Sequence, residues 1–265
     1  MKKKTGKAYF NEQWGVMTSH LKAFIKNSDQ EDLHQFRVQV KKLRAMLTLL
    51  DSVSPKYKLS KDFKPVRKIF KHCGDVRNAY INLQLGVRYK LNNQEFIDKQ
   101  LYTIENGTYE IKEQGKAYLK IIESAHKEIE DNLITISDAE INEFYKTLLE
   151  QIAASLTDLQ FNDGLHNCRK AIKTLIYNRK IAQKALDGKL QVNIDYLDKL
   201  QGSIGDWHDN ILAIELFSSP EVDDKPVVTK LKRQNTRLKK SIANLAKNFW
   251  KKATLFNEPD TEKQD

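Results

Sequence analysis

The sequence predicts an all-α protein assembled from two repeated halves. Three observations carry this reading: very few chain breakers, apolar residues recurring at three- and four-residue intervals, and two motifs that each occur twice in the same order. Only 10 Gly and 5 Pro occur in 265 residues. Leu, Lys, Ala, Glu, Gln and Ile are plentiful, and these side chains lose little rotamer freedom on a helix. No convincing alternation of period two marks a strand. A chain of this length can bury a sizeable core, as one large domain or two small ones.

Breakers cluster at Ser54-Pro55, Asn92-Asn93, Asn106-Gly107, Asn162-Asp163-Gly164, Asp187-Gly188, Ser218-Ser219-Pro220 and from Asp223 to Pro226. These divide the chain into about ten helices. Ser28-Asp29-Gln30-Glu31 and Ser137-Asp138-Ala139-Glu140 both read as capping boxes, in which Ser and Glu satisfy each other's backbone donors at a helix start.

The repeat is in the polar residues. Leu33-His34-Gln35-Phe36-Arg37 recurs as Leu165-His166-Asn167-Cys168-Arg169, and each His is followed seven residues later by a lysine, Lys41 or Lys173. Further on, Gly74-Asp75-Val76-Arg77-Asn78 is echoed by Gly205-Asp206-Trp207-His208-Asp209. His34 and Asp75 are 41 positions apart, and His166 and Asp206 are 40 apart. Two motifs kept in order at nearly equal spacing imply duplication of a unit of about four helices.

At 100° per residue, His34, Arg37, Lys41 and Arg44 share one helix face, while Leu33, Phe36, Val40, Leu43 and Leu47 form the opposite, core-facing stripe. His166, Arg169, Lys173, Lys180 and Lys184 form the matching face of the second half, with Tyr177 among them and Ile176 where Arg44 would fall. Like charges at these spacings cost a helix a few tenths of a kcal/mol per pair. No carboxylate on either face offsets that, so the missing counter-charge is expected from a ligand. Phosphate suits it, because Arg forks two N–H groups onto phosphate oxygens and Lys adds a compact charge.

The net charge is +10, and from Lys225 to Asn257 there are ten Lys or Arg and no acid. This block reads as an amphipathic helix with Lys230, Arg233, Arg237, Lys240 and Lys247 on one side and Leu231, Leu238, Ile242, Leu245 and Phe249 on the other. Its cationic side either joins the two stripes or faces bulk water. Nucleic acid, an anionic membrane surface and phosphate chains are all compatible with the charge alone.

Other chemistry finds little support. Cys73 and Cys168 are far apart, without CxxC spacing, which excludes a disulfide framework and argues against structural zinc. His34 and His166 bring no carboxylates on their own faces, so no metal site is expected. There is no P-loop, nucleophile elbow, HExxH or GxGxxG after a strand. Acidic residues concentrate between Glu123 and Glu150, away from the basic motifs, so a metal-dependent phosphohydrolase is not expected. The Gly-Asp pairs read as sites of close helix approach with N-capping. No secretory h-region or membrane-spanning apolar run is present, and the expected location is the cytoplasm.

Leu33-His34-x-x-Arg37-Val38-x-x-Lys41-Lys42-Leu43-Arg44 and Leu165-His166-x-x-Arg169-Lys170-x-x-Lys173 resemble the CHAD family, the conserved histidine α-helical domain. The two Gly-Asp segments are similar to that family's Gly-x-x-Arg-Asp and Gly-x-x-x-Asp signatures, and Phe249-Trp250 to its C-terminal Trp-containing segment. The chain departs from the pattern at Asn78, usually Asp, at Lys41-Lys42, usually an Arg pair, and at Ile176, usually basic. The resemblance implies two pseudo-symmetric four-helix bundles forming one domain over residues 1–265, with halves at 8–135 and 137–253, a central basic channel or groove, and a disordered tail at 254–265. It implies a stand-alone, non-enzymatic module without the CYTH triphosphatase domain of some members, binding inorganic polyphosphate and associated with polyphosphate granules. Carried over by position, His34, Arg37, Lys41, Lys42 and Arg44 would line one wall, and His166, Arg169, Lys170, Lys173 and Lys180 the other. Arg77, Lys184, Arg233, Arg237 and Lys240 are further candidates. No cofactor is expected. A nonspecific nucleic-acid binder is the alternative, although the stripes lack interleaved stacking aromatics. Protonated His34 and His166 are expected to favour binding, which would weaken as pH rises past ~6.5.

Overall fold

The computed structural model describes residues 3–54, 57–188 and 190–254. Among these are eleven helices: α1 (Lys3–Asn27), α2 (Gln30–Val53), α3 (Leu59–Asp62), α4 (Lys64–Tyr89), α5 (Gln94–Glu113), α6 (Gly115–Asp131), α7 (Asp138–Thr157), α8 (Asp163–Ala185), α9 (Ile194–Ser218), α10 (Lys225–Ala246) and α11 (Phe249–Ala253). The described residues contain no strand, only an isolated bridge between Val192 and Thr254. None of their helices is long and apolar enough to cross a membrane.

The apolar spacing decides which faces are buried. Phe10, Trp14, Met17, Leu21 and Phe24 recur every three or four residues along α1 and are all buried, and Leu33, Phe36, Val40, Leu43 and Leu47 do the same on α2. Each fully buried side chain of this kind contributes roughly 1.5–3 kcal/mol of transfer free energy. On α8 the stripe is Leu165, Cys168, Ile172 and Leu175. One continuous apolar cluster runs from Phe10 to Ala253 and draws on both halves.

Local signals explain the boundaries, with two corrections. Ser137 and Glu140 form the expected capping box at the start of α7. At α2 the cap lies one residue later than the sequence reading placed it. Ser28 takes φ 60° and closes α1, donating its N–H to the Phe24 carbonyl at 2.8 Å, while Asp29 accepts from the Glu31 N–H at 2.8 Å. Asn106-Gly107 breaks nothing: it lies inside α5, where a Cβ on Gly107 would sit 2.5 Å from Val76 Cγ2 of α4. That glycine lets two helices approach closely rather than ending one.

The C-terminal basic segment is also interrupted. α10 ends at Ala246 and Asn248 turns the chain with φ 55°, so Lys247 and Phe249 do not continue the helix as the sequence pattern suggested. Lys252 Nζ reaches back to the carbonyls of Asn244 (3.2 Å) and Leu245 (3.3 Å), satisfying the helix end. Thr254, expected in the tail, is paired with Val192; the rest of that expected tail, 255–265, lies outside the described residues.

Candidate polyanion site

The two histidine helices, α2 and α8, pack against one another. At their contact Asn178 Nδ2, buried, donates to the Ala45 carbonyl oxygen at 2.9 Å. Their basic faces meet N-terminal to this point. Lys41 lies in the field of Arg37 and Arg77 from its own half and of Arg169 and Lys173 from the other. Lys42 and Lys180 make a second like-charged pair across the same junction. Four cations predicted from sequence on two separate stripes, together with the further candidate Arg77 on α4, are therefore one cluster.

The Gly motifs position the arginines. Arg37 Nη1 donates to the Phe70 carbonyl at 2.6 Å, and its guanidinium lies 4.1 Å above the Phe70 ring centroid. In the other half Arg169 Nε donates to the Gln201 carbonyl at 3.2 Å. Both carbonyls lie four residues before the motif glycine, so each already accepts that glycine's N–H within its helix and is shared with an arginine. A Cβ on Gly74 would lie 3.2 Å from Arg37 Nη1, and one on Gly205 only 2.7 Å from Arg169 Nη2. Close approach was the correct half of the sequence reading. N-capping was not, because both glycines sit inside long helices, α4 and α9, with the helix running on through them.

This arrangement separates binding from stability. Gly205→Ala gains about 1 kcal/mol of helix propensity. It displaces the flexible end of Arg169, weakening a hydrogen bond worth roughly 1.5–3 kcal/mol. A melting temperature within a few degrees of wild type is expected in a thermal denaturation scan. Affinity for a phosphate polymer should nevertheless fall roughly three- to tenfold, since the forked donor is misplaced.

The electrostatics are those of a cation cluster lacking its counter-charge. Among the described residues none of these side chains forms an ion pair with a carboxylate; the pairs present are elsewhere, as between Lys99 and Glu221 or Lys7 and Glu130. Burial, and then Arg77, hold the Arg37 guanidinium below its ordinary value, outweighing Cys73 and Asp75, which favour its charged form. The Lys41 ammonium is pushed down to about 8, first by burial and then by the four neighbouring cations. Lys41 is nonetheless exposed to solvent. Both facts fit a side chain that lines an open cleft and has other cations close by.

The histidines require a correction. Burial lowers the pKa of His34, and Arg77 lowers it further. His166 is pushed down to about 4 by burial and by His208, whose ring lies 4.2 Å from its own. Its Nδ1 is buried without a hydrogen-bond partner. The imidazoles are neutral at neutral pH, so a binding transition at ~6.5 is not their signature. His208 itself went unnoticed as a site neighbour, because only its place as the fourth residue of an otherwise structural motif marked it.

Other candidates are placed differently. Arg44 turns toward Arg67 of α4 rather than toward α8. Arg233, Arg237 and Lys240 are exposed on α10, a helix that packs on α9 through Leu231 and Ile242. Lys170 is exposed, its Nζ donating to Asn167 Oδ1 at 3.1 Å, and Lys184 is exposed near the end of α8. Sequence reasoning missed a further group. Lys61, Lys64, Arg67, Lys68 and Lys71 join Lys41 and Arg44 around a cleft of about 500 Å³ between α2, α3 and α4. The same stripe test would have found them, since 64, 67, 68 and 71 share a helix face.

The family model described as CHAD domain matches residues 8–218, which carries both histidine motifs and both Gly motifs and stops before α10. A similar solved structure is the CHAD domain from the plant Ricinus communis, with a TM-score of 0.61 at 16% identity, covering 94% of this chain and 89% of that one. No curated protein matches by sequence. The match over most of the length, on the residues that build the cation cluster, makes this chain a member of the CHAD family, a family associated in general with polyphosphate binding.

Proposed function

We propose that this protein holds inorganic polyphosphate, without transforming it chemically, in a basic groove where its two repeated halves meet. One observation carries the reading: Arg37, Lys41 and Arg77 converge with Arg169 and Lys173 while no carboxylate pairs with any of them among the described residues. A polymer with one charge per phosphate supplies the absent counter-charge and is narrow enough to follow a crevice. Binding would release the counterions of both partners and form charge-assisted hydrogen bonds with the pre-positioned guanidinium groups. Aromatic rings beside the cluster are already faced by its cations, Phe70 by Arg37 at 4.1 Å, Tyr80 by Arg77 at 5.2 Å and Tyr177 by Lys173 at 5.3 Å, which makes them poor platforms for bases. A cytoplasmic place on polyphosphate granules belongs to the same proposal.

The test is a titration with long-chain polyphosphate, with single-stranded RNA as competitor, on wild type and on Arg37→Ala/Lys41→Ala/Arg169→Ala/Lys173→Ala. Binding that resists RNA, falls with rising salt and collapses in the variant is the expected result. Equal binding by the two proteins would make the duplicated motifs architectural. Displacement by equimolar RNA would make the protein a general nucleic-acid binder.

A further inference from the structure

We infer that the cleft between α2, α3 and α4 is a second phosphate-binding segment, continuous with the central cluster through Lys41, that makes the protein select long phosphate polymers over short ones. The inference rests on the function proposed above and adds a place and a length dependence to it. The cleft, about 500 Å³, has Arg44, Lys61, Lys64, Arg67, Lys68 and Lys71 in its lining, and no carboxylate. None of these cations is in an ion pair among the described residues. Arg44 and Arg67 come from different helices and both line the cleft, and the charged form of Arg44 is disfavoured by burial and then by Arg67. A surface helix serving only to be solvated would interleave acids along such a face.

Continuity with the centre comes from two shared residues. Lys41 lines the cleft and also feels Arg37, Arg169 and Lys173. Phe70 lines the cleft too, while its ring lies under Arg37 and 5.9 Å from Lys41 Nζ. The cleft and the cluster are thus on two sides of one partition, with Lys41 at its edge. Along α4 the cations run from Lys64 to Arg77, thirteen residues or roughly 20 Å of helix. A tripolyphosphate fills only one part of that path. A long polymer anchored centrally can lay its continuing phosphates along the cleft, where the second contact is made at high effective concentration.

The experiment compares wild type, Lys64→Glu/Arg67→Glu/Lys68→Glu and the central quadruple alanine variant, each titrated with long-chain polyphosphate and with tripolyphosphate. The three cleft side chains are exposed, so the fold should persist, and the corresponding triple Gln variant should shift affinity in the same direction by less. The expected result is a loss of roughly tenfold or more in long-chain affinity, with a shallower salt dependence, and an unchanged affinity for tripolyphosphate. Wild-type affinity for the long chain in both cleft variants would overturn the inference. Equal losses for both ligands would also overturn it, because the cleft would then be the anchor and not its extension. Failure of the central reading shows separately: the quadruple variant would bind both ligands as wild type does.

Discussion

Lys41→Glu is expected to weaken polyphosphate binding by roughly 100-fold while raising the melting temperature. Lys41 is the point at which both halves of the cation cluster converge, with Arg37, Lys173, Arg169 and Arg77 all acting against its charge. In the free protein this is uncompensated repulsion, and a carboxylate at the same position would instead meet four cations. Such a reversal removes one phosphate contact and adds a competing anion that occupies its neighbours. Stabilisation by ~1 kcal/mol would raise the melting temperature by about 2–4 °C in a chain of this size. The paired measurement is thermal denaturation of the ligand-free proteins beside a polyphosphate titration. A variant that melts lower and still binds would show that Lys41 is a packing residue.

Most of the cluster was legible in sequence because a charged helix face obeys the same geometry as an apolar one. Once Leu33, Phe36, Val40 and Leu43 are assigned to the core, the faces carrying Arg37 and Lys41 follow. The duplicated motif pointed to Arg169 and Lys173 in the same way. What the sequence could not give was contact between elements distant in the chain. That Arg37 reaches the Phe70 carbonyl 33 positions away, over a glycine in the middle of α4, depends on how two helices cross, and a Gly-Asp pair looks locally like a cap. Asn106-Gly107 misled for the same reason, since its glycine answers to Val76 on another helix and not to a turn. The cation face on α4 was overlooked for a different cause: Lys64 to Lys71 belong to no repeated motif, so nothing drew attention to a periodicity that was present. Histidine protonation failed because titration depends on burial and on neighbours such as His208, which the linear motif does not report.

These altered titrations shift the expected pH dependence from the histidines to Lys41. In the free protein Lys41 loses its proton near 8, well below its ordinary value of 10.5. A bound phosphate favours the ammonium and raises that value, so binding takes up a proton where the two states differ. Affinity should therefore change little on Lys41's account below pH ~7.5 and fall by up to about tenfold per pH unit above ~8. The free protein responds with the opposite sign. Its folded state holds fewer protons on Lys41 than the unfolded chain between about 8 and 10.5, so this group's contribution to stability grows as pH rises through that window and is lost as pH falls through about 8. Calorimetric titration at pH 8.5 in two buffers of different ionisation enthalpy should register the proton taken up. Lys41→Arg should bind without it and hold its affinity across the same range, because a guanidinium stays charged there. A Lys41→Arg profile as steep as that of wild type would assign the titration to another cation of the cluster, and with it the position at which the polymer first loses its grip.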